Sequence, residues 1–146
     1  EVEALGGAPG VRSARFAGER ATDAENNAAL LAALDALTAD ELGARSFEFK
    51  ARFRCVLALV DPYAQDGEPY VVEGSCTGKI TRTPRGSGGF GYDPLFLVEG
   101  TDKTMAELSE DEKNRISHRA RAVQSLRLVL ERTLAARDDL TRAVTD

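Results

Sequence analysis

The chain has no tryptophan, one histidine, one methionine and two cysteines. Each scarcity excludes something. Cys55 and Cys76 lie inside strand-like runs with no CxxC or Cys/His neighbourhood, so they read as buried reduced thiols rather than a disulfide framework or metal knuckle. His118 has no second histidine to share a metal with, which argues against zinc. No run approaches the ~18 consecutive apolar residues of a membrane helix. The start EVEALGGAPG lacks the basic and apolar regions of a secretory signal, so the chain reads as cytoplasmic, with no membrane partner. A net charge of −5 argues against general nucleic-acid binding, yet leaves room for a local cationic pocket that takes a small anion.

What is present fits one ordinary globular domain spanning 1–146: 42% of residues are apolar and 29% charged, with no repeat, low-complexity tract or Pro/Ser-rich linker. The first residue is Glu rather than Met, and Glu1–Leu5 alternates polar and apolar as a strand already under way, so the chain is expected to begin mid-protein. Gly6–Gly10 is a loop, and 11–17 allows one or two helical turns. Thr22 and Glu25 have capping-box spacing ahead of Leu30, Leu34 and Leu37, which predicts a helix over about 23–37. Residues 46–60 alternate with period two and then become apolar on both faces from Cys55, predicting a strand whose far end is covered on both sides. A turn-rich stretch leads to a second strand over 70–82, giving a long antiparallel hairpin. The glycines of that strand suggest a bulge or a close backbone neighbour. Pro94–Val98 reads as a short buried strand. Ser109 and Glu112 cap a long helix over about 110–137, with Ile116, Ala120, Val123, Leu130 and Leu134 on one stripe. The class is mixed α/β, α+β in character: a hairpin in a mixed sheet flanked by helices.

Two segments carry chemistry. Gly86–Gly91 places four glycines in six residues, matching neither GxxxxGK[ST] nor GxGxxG, so glycine density alone is weak evidence. Phe90 and Tyr92 sharpen it. Aromatic faces stack on nucleobases for ~1–3 kcal/mol each, whereas the plain alternative has both rings plugging the core beneath the loop; a third has one ring in each role. The second segment holds Lys113, Ser117, His118 and Arg119. Lys113 and Ser117 are spaced to share a helical face. His118 and Arg119 donate hydrogen bonds that suit carbonyl oxygens or phosphates, against the alternative of a solvated basic face. Lys79, Arg82 and Arg85 either add positive potential near the loop or simply alternate outward. Glu110–Glu112 reads as a helix start and Asp138-Asp139 as a solvated tail.

Together these segments resemble the inosine/xanthosine triphosphate pyrophosphatase family. LGGAPG (5–10), SARFAG (13–18), RFRCV (52–56), GGFGYDPLF (88–96), and EKNRISHRARA (112–122) stand in the family's order, spread over almost the whole chain. Asn27, Gly74, Gly78, Ile80 and Thr104 fall at matching positions. The departures are Ala120, where glycine is usual, and Arg12, where tyrosine is common.

The resemblance implies Mg²⁺-dependent hydrolysis of ITP, dITP or XTP to the monophosphate and pyrophosphate, removing deaminated purines from the nucleotide pool, by a homodimer. It implies that Phe90 stacks on the base, that Gly91, Tyr92 and Asp93 shape the pocket, and that Lys113, His118 and Arg119 contact the base. Donors suit the 6-oxo group of hypoxanthine or xanthine and are left unpaired against adenine. The family's phosphate loop and its Asp-Asp-Ser-Gly segment, which hold triphosphate and metal, belong upstream of Glu1, so catalytic residues and metal ligands are not expected in this chain. Two other readings stand beside it: a non-catalytic purine-nucleotide-binding module, and an unrelated enzyme with a glycine-rich loop.

Overall fold

The computed structural model describes residues 1–37, 48–62 and 67–145, with side chains as far as 137. By its internal contacts the chain forms two compact units: Glu1–Phe53 with Cys76–Lys113, and Arg54–Ser75 with Asn114–Asp146. The architecture is mixed α/β. A three-stranded sheet runs in the order β1 (Phe49–Leu59), β2 (Tyr70–Ile80), β3 (Phe96–Val98). The helices are α1 (Asp23–Asp35), α2 (Glu110–Ile116) and α3 (His118–Thr145), with 3₁₀ turns at Glu3–Leu5, Gly10–Arg15 and Met105–Glu107.

The first unit is built around Leu30, Leu34, Phe49, Leu95, Phe96 and Val98, all nearly inaccessible. β2 and β3 pair antiparallel, with Gly78 opposite Val98 and Ile80 opposite Phe96. Gly78 has to be glycine: a Cβ there would lie 2.8 Å from the Phe96 ring. The Glu48–Lys79 and Arg54–Glu73 ion pairs keep step as β1 ascends and β2 descends, the signature of an antiparallel hairpin. Both predicted capping boxes form. Thr22 N–H donates to Glu25 Oε2 (2.7 Å) and Ser109 N–H to Glu112 Oε2 (2.7 Å), each with the reciprocal bond from the glutamate amide. Their carboxylates titrate below the ordinary range, Glu112 down to about 2, because backbone and hydroxyl donors favour the charged form.

In the second unit the backbone of Gly74 lies against α3. A Cβ would stand 2.9 Å from Ala122 Cα and closer still to the His118 carbonyl. This is the close backbone neighbour that the strand's glycines predict. Arg121 donates to the Ser75 carbonyl (2.6 Å), and Arg137 pairs with Asp61.

The structure departs from the sequence expectations in three places. The helix predicted over 110–137 is two helices, because the Ser117 hydroxyl accepts from the Ala120 amide (3.2 Å) and starts α3 afresh. Ser117 therefore stands between the two helices. The apolar stripe of α3 is largely exposed, at 57% for Val123, 42% for Leu130 and 51% for Leu134. The far end of β1 is open on one face, with Val56 and Val60 exposed. At the start, Glu1 exchanges both backbone hydrogen bonds with Arg52 and Val2 bridges Ala51, as a strand would, but Glu3–Leu5 coils into a 3₁₀ turn. Ser46, Phe47, part of the β1–β2 turn and the side chains of Asp138 and Asp139 lie outside the described residues.

Candidate functional site

The glycine loop is gripped from several sides. Gly88 N–H donates to the Ala106 carbonyl, Ala106 N–H to the Asp93 carbonyl, and Arg85 N–H to the Pro94 carbonyl. Gly89 has φ +82° and packs against Asp93 and Lys113, where a side chain would displace both. The structure separates the two aromatics. Tyr92 is buried, and its hydroxyl donates to the Ser13 carbonyl (2.8 Å). Burial and the nearby Asp23 charge push its pKa up to about 12, so it stays a neutral anchor. Phe90 is 61% exposed, an unusual place for a phenyl ring on an otherwise tied-down loop.

Helix α1 supplies contacts that the sequence reading did not assign to the site. Gly91 N–H donates to Asp23 Oδ2 (2.7 Å), and the Asn27 amide donates to the Gly91 carbonyl (2.8 Å) and to the Asp23 carbonyl (2.7 Å). Their i, i+4 spacing puts both polar side chains on one helix face, a signal visible in the sequence but with nothing to name its target. One turn along, buried Asn26 ties α1 to the Gly10–Arg15 turn: it accepts from the Ala17 amide and donates to the Ala14 carbonyl. That same turn contains Ser13, the acceptor for Tyr92.

Lys113 is buried, and its ammonium lies 3.5 Å from Asp93 Oδ2 and 3.8 Å from Glu110 Oε1. Of the candidate residues, Phe90, Gly91, Tyr92, Asp93 and Lys113 are brought together in the first unit. His118 and Arg119 belong to the second, at the start of α3. His118 is buried; that burial, with the Arg119 charge beside it, lowers its pKa to about 4. It is therefore neutral at pH 7, one ring nitrogen a donor and the other an acceptor. Arg119 is exposed. Lys79, Arg82 and Arg85 are each engaged by a carboxylate, namely Glu48, Asp35 and Glu107, which reduces the positive potential they lend the loop.

No group of three or more His, Cys, Asp or Glu side chains among the described residues is arranged to hold a metal ion. No helix among them is long and apolar enough to cross a membrane. A cavity of about 640 Å³ in the first unit is lined by residues such as Lys50, Arg52, Lys79 and Asp102, and holds none of the candidate residues.

The candidate site is thus an exposed phenyl ring on a braced glycine loop in an α/β fold. The comparisons with known proteins sharpen this. The model of the Ham1 family matches residues 1–129, and the chain belongs to that family. It is 52% identical over 126 residues to a dITP/XTP pyrophosphatase of Methylococcus capsulatus, covering 86% of this chain and 59% of the relative. It is 48% identical over 132 residues to that of Desulforamulus reducens, covering 90% and 61%. Among solved structures, a HAM1 protein from Coxiella burnetii superposes with TM-score 0.77 at 43% identity, over 90% of this chain and 62% of that one. The chain thus spans about three fifths of the length of the curated relatives it matches.

Proposed function

We propose that the protein recognises 6-oxo purine nucleoside triphosphates (ITP, dITP, XTP), and that the full-length protein hydrolyses them to the monophosphate and pyrophosphate with Mg²⁺. The observation that carries the recognition half is Phe90, exposed on a loop that buried Tyr92 and the Asp93–Lys113 pair hold in place. Such a ring offers a base a stacking face without the cost of ordering a mobile loop. Gly91, Tyr92 and Asp93 shape the surroundings, and Lys113 supplies a nearby positive charge. His118 and Arg119 enter on the family resemblance, as readers of the 6-oxo oxygen. A neutral imidazole suits that task, since its one N–H can donate to the 6-oxo oxygen and it carries no charge to desolvate. Mg²⁺, when bound, would supply the charge stabilisation on phosphorus. The exposed Val123, Leu130 and Leu134 of α3 support a homodimer, and the relatives' named activity on free nucleotides supports a cytoplasmic location.

The test is pyrophosphate release from dITP and Mg²⁺ by the full-length protein, with ATP as the comparison. Release selective for dITP is expected. Nucleotide binding with no pyrophosphate released would leave a binding module in place of an enzyme. Phe90→Ala should raise KM about tenfold or more, in line with the loss of one stacked base. Arg119→Ala should lose the preference for ITP over ATP; an unchanged preference removes Arg119 from base reading.

A further inference from the structure

We infer that Asp23 and Asn27 are positioning residues for base recognition: from one face of α1 they hold the two peptide groups flanking Gly91 and so fix how the Phe90 ring is presented. The inference rests on the reading of Phe90 as the base-stacking residue.

The geometry is specific. The Gly91 N–H belongs to the peptide joining Phe90 to Gly91, and it is held by Asp23 Oδ2 at 2.7 Å. The Gly91 carbonyl belongs to the next peptide, joining Gly91 to Tyr92, and it is held by Asn27 Nδ2 at 2.8 Å. Both peptide planes are therefore pinned, with only the Gly91 Cα between them. Gly91 sits at φ +61°, a conformation a glycine leaves readily when nothing holds it. The carboxylate bond is charge-assisted, stronger than the ordinary amide pairs elsewhere in the loop. Asn27 also donates to the Asp23 carbonyl at 2.7 Å, so the two gripping residues are tied to each other.

A purely local role for Asp23 does exist. It opens α1, where a negative charge favours the helix dipole. That role leaves unexplained why its oxygen is spent on an amide 68 residues away. It also gives no function to the Asn27 amide, which reaches a carbonyl 64 residues away. A ring on an unpinned Phe90–Gly91 segment has to be ordered when the base arrives. Fixing one residue's backbone weakens binding by about tenfold.

The experiment is equilibrium titration of the full-length protein with IMP, for wild type and for Asp23→Ala, Asn27→Ala, Asp23→Asn, Glu25→Ala and Phe90→Ala. Hydrogen exchange at the Gly91 amide is followed in parallel. Asp23→Ala and Asn27→Ala are expected to weaken IMP binding about tenfold, with faster Gly91 exchange in Asp23→Ala. Asp23→Asn keeps an oxygen acceptor and should restore affinity to within about twofold. Glu25→Ala removes the carboxylate half of the capping box and loosens the same helix end without touching Gly91, so it should leave affinity near wild type. Equal losses in Asp23→Ala and Glu25→Ala would reduce the effect to helix stability and overturn the inference. So would native affinity in Asp23→Ala and Asn27→Ala while Phe90→Ala binds weakly. Native affinity in Phe90→Ala instead overturns the stacking role itself, and the positioning role with it.

Discussion

Lys113 and Asp93 meet beneath the glycine loop, Nζ 3.5 Å from Oδ2, with their side chains only 11% and 14% exposed. A pair this far out of water is costly to form and costlier to break, because removing one partner strands a buried charge. Lys113→Met is expected to destabilise the protein by about 3 kcal/mol. The double variant Lys113→Met/Asp93→Leu should recover part of that loss. Urea unfolding of the two single variants and the double closes the cycle, and a coupling of about 1–3 kcal/mol is expected. Strictly additive losses would mean the two charges do not sense each other.

Gly89 sits against that same pair. At φ +82°, with the Lys113 ammonium 2.7 Å from where a Cβ would stand, alanine is strained in its backbone and crowded by both charges. Gly89→Ala should lower Tm by roughly 3–10 °C, which corresponds to about 1–3 kcal/mol in a domain of this size. It should also raise KM for dITP more than it lowers kcat, because the loop is displaced while the chemistry lies elsewhere. Gly100→Ala is the control. It also has positive φ (+76°) but nothing within 4 Å of its Cβ, so it should cost the backbone strain alone and leave KM unchanged.

What was legible in the sequence was local. The capping boxes at Thr22/Glu25 and Ser109/Glu112 depend on residues three apart, and both form. The hairpin was legible because its alternation and its short connection are local too. The break at Ser117 was hidden by good helix formers on both sides, although serine as a helix cap was the available signal. The far half of β1 departs from its expected cover for a different reason. Periodicity says which residues share a face, not whether anything covers that face, and Val56, Val123 and Leu134 remain exposed. The grip of Asp23 and Asn27 on Gly91 was beyond local reading, since its partners are more than sixty residues apart. The candidate loop itself stands out from composition, and the structure buries Tyr92 while leaving Phe90 exposed.

Gly74 should tolerate no side chain. Its backbone abuts α3 at the His118 carbonyl and at Ala122, itself fully buried. The atoms in the way are main chain and cannot swing aside. Gly74→Ala must push strand and helix apart, at a cost of about 1–3 kcal/mol or more. The check is chemical denaturation beside Gly18→Ala, which carries backbone strain but no neighbour within 4 Å. A smaller loss at Gly74 than at Gly18 would contradict the close approach.

His118 makes stability pH-dependent in a definite direction. Burial, with the Arg119 charge second, lowers its pKa to about 4 from the ordinary 6.5. Between those values the unfolded chain binds a proton that the folded one refuses, so each step of acidification favours unfolding. The contribution is fully present above pH 6.5 and is lost progressively as pH falls towards 4. Melting from pH 7.5 to 4.5 should therefore show a steeper fall in Tm for the wild type than for His118→Gln, which has no proton to refuse. Because the chain has a single histidine, its ring proton resonance can be followed without assignment, and a midpoint near 4 is expected. A midpoint at or above 6, with wild type and His118→Gln melting in parallel, would show that the ring is solvated and charged as readily as a free histidine. The neutral imidazole assigned to base reading would then have no basis.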